Sequence, residues 1–212
     1  MNEIVIICTG GELGSWALSH IRSGDQLIGA DSGALFLIEQ GFTPDTSIGD
    51  FDSVTAEQLE RIQQLSRETI TCDPIDKNYT DTEMAFRHAL ALQPAEIILL
   101  GALGTRFDHS LANVHLLMLA LEQGIAAAII DEHNHISLTS DSLQLHKGDY
   151  TNVSLLPLSA IVTGINLQGF QYPLYEAELR IGQSLGISNV LLEPTGTVAI
   201  KSGILLVIQS RD

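Results

Sequence analysis

The chain is poor in cysteine and in basic residues. Its 212 residues include 2 cysteines, and 10 lysines and arginines stand against 26 aspartates and glutamates, which gives a formal net charge of −16. Cys8 and Cys72 are too few for a disulfide framework and do not have the spacing of a zinc site. Because no basic cluster could displace counterions from a nucleic-acid backbone, we expect no nucleic-acid partner.

Long apolar runs are also missing. The longest nearly apolar stretch, residues 116–130, is interrupted by Glu122, Gln123 and Gly124 and is shorter than a membrane-spanning helix of ~20 residues. The apolar run at Ile4–Cys8 is too short for a secretory signal and lacks a basic flank. We therefore expect no membrane association and a cytoplasmic protein.

The two best-known glycine-rich phosphate-binding loops are not found. Gly10-Gly11-Glu12-Leu13-Gly14 does not follow the pattern G-x-G-x-x-G, and G-x-x-x-x-G-K-[ST] occurs nowhere in the chain. A tight turn or close helix packing explains these glycines as well as phosphate contact does. A phosphate-bearing substrate would therefore have to be held by a metal ion and by scattered side chains.

Hydrophobic residues make up 45% of the chain, which is enough for substantial cores. Up to about residue 130, apolar segments of strand length alternate with helical patterns. The predicted strands are 3–8, 27–30, 69–72, 96–100 and 126–130, and the predicted helices are 15–22, 33–40, 55–67, 82–92 and 110–123. Thr55 and Gln58 predict a capping box at the start of the third of these helices. This alternation predicts an α/β domain with a mostly parallel sheet flanked by helices, whose ligand crevice lies beyond the carboxyl ends of the strands.

The pattern changes after residue 132. Short apolar segments separated by turn residues predict an all-β sandwich or barrel, with a hairpin turn at 201–204 and a short helix only near 174–179. We therefore expect two domains, 1–132 and 133–212.

Aspartates stand at the predicted strand ends of the first domain. Asp50 and Asp52 lie two residues apart, so in an extended segment both carboxylates would face one cation, and Mg²⁺ commonly takes one or two carboxylates together with substrate phosphates. A polar turn is the alternative interpretation for this pair. Asp31 follows an apolar strand, and its carboxylate would accept hydrogen bonds from a ribose or from metal-bound water; an N-cap for the next helix is the alternative. Asp81 stands in the first turn of a predicted helix, where the helix dipole favours a carboxylate in either role.

Further candidates surround these carboxylates. Thr80 reads as a helix N-cap, and Lys77 offers a point charge for a phosphate or is a solvated surface lysine. In Gly101-Ala102-Leu103-Gly104-Thr105-Arg106-Phe107-Asp108-His109, two glycines permit close backbone approach. Arg106 can make forked bonds to a phosphate or to Asp108, and His109 is either a site residue or structural.

Taken together and in order, these segments resemble those of the thiamine pyrophosphokinase family. The matching segments are Ala30-Asp31-Ser32-Gly33-Ala34, Gly49-Asp50-Phe51-Asp52-Ser53, Thr80-Asp81, Gly101 through His109, and late in the chain Gly186-Ile187-Ser188-Asn189. Each motif is weak alone, but their order and spacing agree over about residues 25–190.

The resemblance implies the activity and the roles of residues. It implies transfer of a pyrophosphoryl group from ATP to the hydroxyl of thiamine with Mg²⁺, giving thiamine diphosphate and AMP. The N-terminal α/β domain would bind ATP and magnesium, the C-terminal β domain would bind thiamine, and a homodimer would hold thiamine near its interface. By motif match, the catalytic and metal-binding residues would be Asp50, Asp52 and Asp81; the ATP-binding residues Asp31, Lys77, Thr80, Arg106, Asp108 and His109; and the thiamine-binding residues Ser188 and Asn189.

The sequence departs from the family pattern at two places. Asn78 follows Lys77 where many bacterial members have an acidic residue, which removes one charge from the site. Val190 and Leu191 follow Asn189 where an aromatic residue is common, and neither Trp16 nor Tyr172 is an obvious replacement as stacking partner for the thiamine ring.

Two other functions stay open. A pyrophosphokinase acting on a pterin-like alcohol would keep the aspartates but would not need Ser188-Asn189. A nucleotide-binding regulatory module would bind ATP with magnesium without releasing AMP, and retention of Asp50, Asp52 and Asp81 argues against it. No residue is assigned as the general base, since a metal-binding carboxylate is a weak one.

Overall fold

The computed structural model describes residues 4–71 and 78–212. The chain forms two compact units, Met1–Glu132 and His133–Asp212. Cys72 and Lys77 lie outside the described residues.

The first unit is built on a parallel sheet. Within its described residues the strands are β1 (Ile4–Cys8), β2 (Gln26–Ala30), β3 (Thr46–Gly49), β4 (Glu68–Thr71), β5 (Glu96–Leu100) and β6 (Ala126–Ile130). They lie in the order β4-β3-β2-β1-β5-β6, and each neighbouring pair is parallel. The predicted parallel α/β class is confirmed. Strand β3 was not predicted, because the buried Thr46 and Ser47 interrupt its apolar pattern.

Helices accompany this sheet. They are the α-helices α1 (Ser32–Glu39), α2 (Ala56–Leu65), α3 (Asp81–Ala91) and α4 (Phe107–Glu122), and a 3-10 helix at Ser15–His20. Helix α2 begins with the predicted capping box, in which Thr55 Oγ1 accepts from Gln58 N at 3.2 Å and Thr55 N donates to Gln58 Oε1 at 2.8 Å. The predicted start of α4 at residue 110 was wrong, since the helix already begins at Phe107.

Strand β1 shows why the strands are apolar without alternation. Val5, Ile6, Ile7 and Cys8 are all fully buried, so both faces of the strand are covered. Burial raises the pKa of the Cys8 thiol to about 12, which keeps this side chain neutral in the core.

The second unit is an antiparallel β-sandwich. Its strands are β7 (Asn134–Thr139), β8 (Ser142–His146), β9 (Asn152–Pro157), β10 (Ile161–Gln168), β11 (Ala177–Arg180), β12 (Thr195–Ala199) and β13 (Leu205–Ser210). One group pairs in the order β7-β13-β9 and the other in the order β11-β10-β12-β8. Leu155 and Val207 of the first group share a core cluster with Val162 and Val198 of the second. The all-β prediction is confirmed.

Two local predictions in this unit were wrong. Residues 177–180 form β11 instead of part of a helix, because Leu179 is fully buried in the shared core. Residues 201–204 are not a hairpin turn, because β12 pairs with β10 and β8 while β13 pairs with β7 and β9. Across the described ranges, no helix is both long and apolar enough to span a membrane.

Candidate active site

The strand order of the first unit reverses at β1, whose neighbours are β2 and β5. This reversal opens a crevice at the carboxyl ends of the strands. Thr9 follows β1 and joins it to β5, since its backbone N–H donates to Leu100 O at 2.9 Å and its hydroxyl donates to Gly101 O. Gly11 packs against the same loop after β5, since a Cβ on Gly11 would lie 2.0 Å from Gly101 O. Packing of two loops therefore explains this glycine.

A cleft of about 760 Å³ occupies this edge. Its lining comes from the loop ends after β1, β2, β3 and β5, from the start of α3 and from the first turns of α4. The residues are Thr9, Gly10, Gly11, Ala30, Asp31, Asp52, 78–82, 101–106, His109, Ser110 and Asn113. Of the predicted site residues that the structure describes in this unit, Asp50 and Asp108 are outside this lining.

Three carboxylates converge beside the cleft. One oxygen each from Asp31, Asp50 and Asp52 lies within 4.8 Å of the others. Asp31 and Asp50 are half-buried and Asp52 is exposed. Like charges held this close repel one another, so a cation bound among them would be stabilised. The resemblance implied an ATP-side role for Asp31, and the structure places its carboxylate in the cleft lining and next to Asp50 and Asp52.

Asp31 has one satisfied and one orphaned carboxylate oxygen. Oδ2 accepts a hydrogen bond from Ser53 Oγ at 2.5 Å. Oδ1 is buried and accepts none from any residue in the described ranges. Asp31 also has a φ of +52°, which is uncommon for a residue other than glycine and suits a functional position. A buried acceptor without a donor is costly unless a ligand or a cation meets it, so this donor set fits a hard cation such as Mg²⁺.

Phe51 explains how Asp50 and Asp52 come together. Its side chain is buried in a core cluster with Ala34 and Ile62, and its φ is +56°. The segment is therefore a tight turn and not the extended segment that the sequence suggested. Asp52 N donates to Asp50 Oδ1 at 3.2 Å within this turn. The two carboxylates do lie close together, as predicted. The cause is the buried side chain and the positive φ of Phe51, and not an extended backbone.

Asp81 approaches the same turn from α3. Its Oδ1 accepts a hydrogen bond from the backbone N–H of Asp50 at 3.2 Å. Thr80 is the N-cap of α3, as predicted, and its Oγ1 accepts from Glu83 N at 3.2 Å. Asp81 is not one of the three clustered carboxylates, so the structure adds Asp31 where the sequence had grouped Asp81 with Asp50 and Asp52.

Arg106 and Asp108 form a forked ion pair at the start of α4. The guanidinium Nε lies 3.3 Å from Oδ1 and one terminal nitrogen lies 2.6 Å from Oδ2. Both side chains are largely exposed. The hydrogen bond from Arg106 lowers the pKa of Asp108, and the same bond raises the pKa of Arg106. Since Arg106 and His109 line the cleft and Asp108 does not, Asp108 orients the arginine from outside.

Polar residues that the sequence did not single out hold the loop after β5. Asn113 is buried and donates from Nδ2 to Ala102 O at 2.7 Å, and Ser110 Oγ accepts from Gly104 N at 3.1 Å. The sequence offered one sign of this role: Asn113 stands in an apolar helix one turn after His109, and a buried amide needs a specific hydrogen-bond partner.

Ser188 and Asn189 lie in the second unit. Ser188 is exposed with a φ of +57°, and its backbone N–H donates to Ser154 Oγ at 3.1 Å. Asn189 is 5% exposed and pairs with Val153 of β9 through two backbone hydrogen bonds of 2.7 and 2.9 Å. The two neighbours therefore differ: the serine side chain faces solvent, and the asparagine side chain is internal.

Both halves of the chain match domains of the same protein family. Residues 18–129 match the family model described as thiamin pyrophosphokinase, catalytic domain, and residues 132–205 match thiamin pyrophosphokinase, vitamin B1 binding domain. A thiamine pyrophosphokinase of Bacillus subtilis (strain 168) is 34% identical over 187 residues, which is 87% of each chain.

Solved structures agree. A crystal structure of thiamine pyrophosphokinase from Bacillus subtilis superposes with a TM-score of 0.92 at 31% identity and covers 99% of this chain and 100% of that one. The structure from Geobacillus thermodenitrificans gives 0.89 at 32% identity, covering 99% and 98%.

Proposed function

Because the chain belongs to the thiamine pyrophosphokinase family, and is therefore an enzyme that transfers the pyrophosphoryl group of ATP to thiamine, we propose that the cleft of the first unit binds ATP with magnesium. The observation that carries this proposal is the buried, unmet Oδ1 of Asp31 beside Asp50 and Asp52. An oxygen-lined cluster of this kind attracts a hard cation that also binds phosphate oxygens.

The proposed metal ligands are Asp50, Asp52 and Asp81, together with Asp31, whose carboxylate clusters with those of Asp50 and Asp52. When bound, Mg²⁺ would neutralise charge on the phosphates. Asp81 lies in the first turn of α3, and its contact with Asp50 N fixes the turn. These carboxylates therefore hold the acidic end of the cleft in one geometry.

Arg106 is the side chain that we propose to bind the phosphates of ATP. The other proposed ATP-binding residues are Thr80, Asp108, His109 and Lys77. The guanidinium is already oriented by Asp108 through two bonds, so less side-chain entropy is lost when a phosphate binds. Asn113 and Ser110 keep the loop after β5 in place around it.

The reaction requires little covalent chemistry from the protein side chains. The thiamine hydroxyl attacks the β-phosphorus, a new P–O bond forms, the bond to the α-phosphate oxygen breaks, and AMP leaves. Catalysis of such a transfer comes mainly from positioning and charge neutralisation. We assign no general base.

We further propose that the second unit binds thiamine through the region of Ser188 and Asn189, and that the protein is a homodimer with thiamine near the interface. Exposed apolar side chains in the same segment support an interface, among them Ile181 at 65%, Leu185 at 64% and Leu192 at 56%. The cytoplasm, which supplies ATP and magnesium, is the proposed compartment. Sedimentation velocity tests the dimer, and a monomer at micromolar concentration would contradict it.

The decisive experiment incubates the full chain with ATP, Mg²⁺ and thiamine and measures thiamine diphosphate and AMP. We expect equal amounts of the two products, no turnover with excess chelator, and recovery with added Mg²⁺. AMP formed equally without thiamine contradicts the activity. Turnover with a pterin-like alcohol in place of thiamine identifies the other acceptor, and ATP binding without AMP release identifies a regulatory module.

A further inference from the structure

A buried threonine joins the loop after β1 to the loop after β5. Thr9 is 2% exposed, its hydroxyl donates to Gly101 O, and its backbone N–H donates to Leu100 O at 2.9 Å. A valine has nearly the same shape without the hydroxyl, so packing alone does not require a threonine at this position. The Thr9 side chain therefore contributes one specific hydrogen bond at the edge of the cleft.

The peptide between Gly101 and Ala102 is fixed from both sides. Thr9 bonds the carbonyl oxygen of Gly101, whose φ of +72° turns the chain directly after β5. Asn113 Nδ2 donates to Ala102 O at 2.7 Å, which fixes the next carbonyl group. Two buried side chains from different parts of the chain thus set the orientation of two successive carbonyl groups.

The N–H group of Ala102 lies between these two carbonyl groups. The peptide is trans, so this N–H points in the direction opposite to Gly101 O and away from Thr9. Ala102 is 4% exposed and lines the cleft, and no atom in residues 4–71 or 78–212 accepts a hydrogen bond from its N–H. A buried donor without an acceptor is costly unless a ligand meets it.

An anionic oxygen suits this donor, because backbone N–H groups make strong, charge-assisted hydrogen bonds to oxyanions. Arg106, the proposed phosphate-binding side chain, belongs to the same loop and lines the same cleft. The chain has 10 lysines and arginines against 26 acidic residues, so cationic side chains for a triphosphate are scarce. A neutral backbone donor in this loop would add to the contact that Arg106 makes.

We propose that Thr9 is a positioning residue whose hydroxyl orients the peptide between Gly101 and Ala102, and that the N–H of Ala102 donates to a phosphate oxygen of ATP. This inference rests on the proposed function, in which the cleft binds ATP. It gives a role in nucleotide binding to a threonine that no sequence motif singled out.

Steady-state kinetics of three variants in the full chain test the positioning role. Thr9→Val should raise the KM for ATP about tenfold, with a smaller change in kcat and none in the KM for thiamine, because the peptide loses the hydrogen bond that orients it. Thr9→Ala also lacks the hydroxyl and should show the same rise. Thr9→Ser keeps the hydroxyl and should stay within about threefold of the parent KM for ATP.

Thr139→Val is the matched control. Thr139 is a buried threonine of the second unit, and its Oγ1 accepts a hydrogen bond from Asp141 N at 3.2 Å. Removing this hydroxyl should lower the midpoint of urea unfolding, because a buried hydrogen bond is lost, and should leave the KM for ATP unchanged. A general loss of stability would therefore not reproduce the result expected for Thr9→Val.

Inorganic tripolyphosphate tests whether the contact is made to the phosphates. Measured as a competitor of ATP at constant free Mg²⁺, it should bind Thr9→Val about tenfold more weakly than the wild-type chain. Tripolyphosphate that competes equally well in both chains, or in neither, overturns the phosphate contact.

The outcomes distinguish this inference from the proposed function. An unchanged KM for ATP in both Thr9→Val and Thr9→Ala overturns the inference and leaves the activity standing. A folded wild-type chain that neither binds ATP nor releases AMP overturns both.

Discussion

The backbone N–H of Asp50 donates to Oδ1 of Asp81 across 3.2 Å, which joins the end of β3 to the first turn of α3. Gly49 makes this approach possible, because a Cβ at that position would lie 3.3 Å from Asp81 Oδ1 and 3.3 Å from the backbone of Asp31. The contact fixes the turn that carries Asp52. The acidic cluster is thus held by backbone geometry before any ligand binds.

Asp52→Asn should lower kcat on the order of 100-fold or more, because it removes one charge from the proposed cation site. Asp52 is exposed, so the free energy of unfolding should stay within about 0.5 kcal/mol of the parent value. Kinetics over a Mg²⁺ titration and urea unfolding check the two parts. The exposed Asp149→Asn in the second unit is the control and should change neither. A destabilised but fully active Asp52 variant would instead support a purely structural turn.

Arg106→Lys should raise the KM for ATP about tenfold, because lysine keeps the charge and loses the fork that binds two oxygens at once. Kinetics at varied ATP with saturating thiamine measure the change. Arg180→Lys, at another exposed ion pair with Glu178, is the matched control and should have no effect on KM. An unchanged KM in Arg106→Lys would contradict phosphate binding by the fork.

The pH dependence of this arginine follows from Asp108. The bond from Arg106 lowers the pKa of Asp108, so the ion pair is present above the pKa of the unfolded carboxyl group and is lost only as pH falls through the lower folded value. From pH 7 down to about 5 the pair should therefore stay intact. We expect Asp108→Asn to raise the KM for ATP equally at both ends of this range; a difference confined to pH 5 would contradict this account.

Gly33→Ala should destabilise the first unit by about 1–3 kcal/mol or more. A Cβ at Gly33 would lie 2.1 Å from the carbonyl oxygen of Cys8, and this backbone atom of β1 cannot move aside without shifting the strand. Urea unfolding measures the loss. Gly148→Ala is the control, since a Cβ there meets no atom within 4 Å and should cost less than about 0.5 kcal/mol.

Cys8 should resist alkylation in the folded chain. Burial raises the pKa of its thiol from 9.0 to about 12, so the thiolate scarcely forms at pH 9. In a Cys72→Ser background, iodoacetamide should label Cys8 slowly when the chain is folded and at an ordinary rate in urea. Rapid labelling of the folded chain would contradict its burial.

The same raised pKa predicts how stability changes in alkali. The thiol of the unfolded chain ionises at a lower pH than the buried thiol of the folded chain. The contribution of Cys8 to the free energy of unfolding is therefore complete below pH 9 and is lost as pH rises from 9 towards 12. Between pH 8.5 and 10.5 the urea midpoint should therefore fall more steeply with Cys8 present than in Cys8→Ala. Equal slopes would contradict the prediction.

Local patterns were enough for much of the fold. Thr55 and Gln58 predicted the start of α2 because a capping box uses only residues three apart, and the apolar run of β1 predicted a strand covered on both faces. Strand β3 and strand β11 were missed because the burial of Ser47 and of Leu179 depends on distant neighbours that no local pattern records.

By itself, the sequence determined the α/β and all-β halves, the aspartates at the strand ends, and a resemblance carried by short motifs, because hydrophobic periodicity and motif spacing are properties of neighbouring residues. Only the tertiary structure decided that Asp31 lies beside Asp50 and Asp52 and that a positive φ at Phe51 brings that pair together. It also decided that the side chain of Asn189 donates a hydrogen bond to the backbone of Tyr172. These are contacts between residues far apart in the chain, and their partners are chosen by strand order and packing.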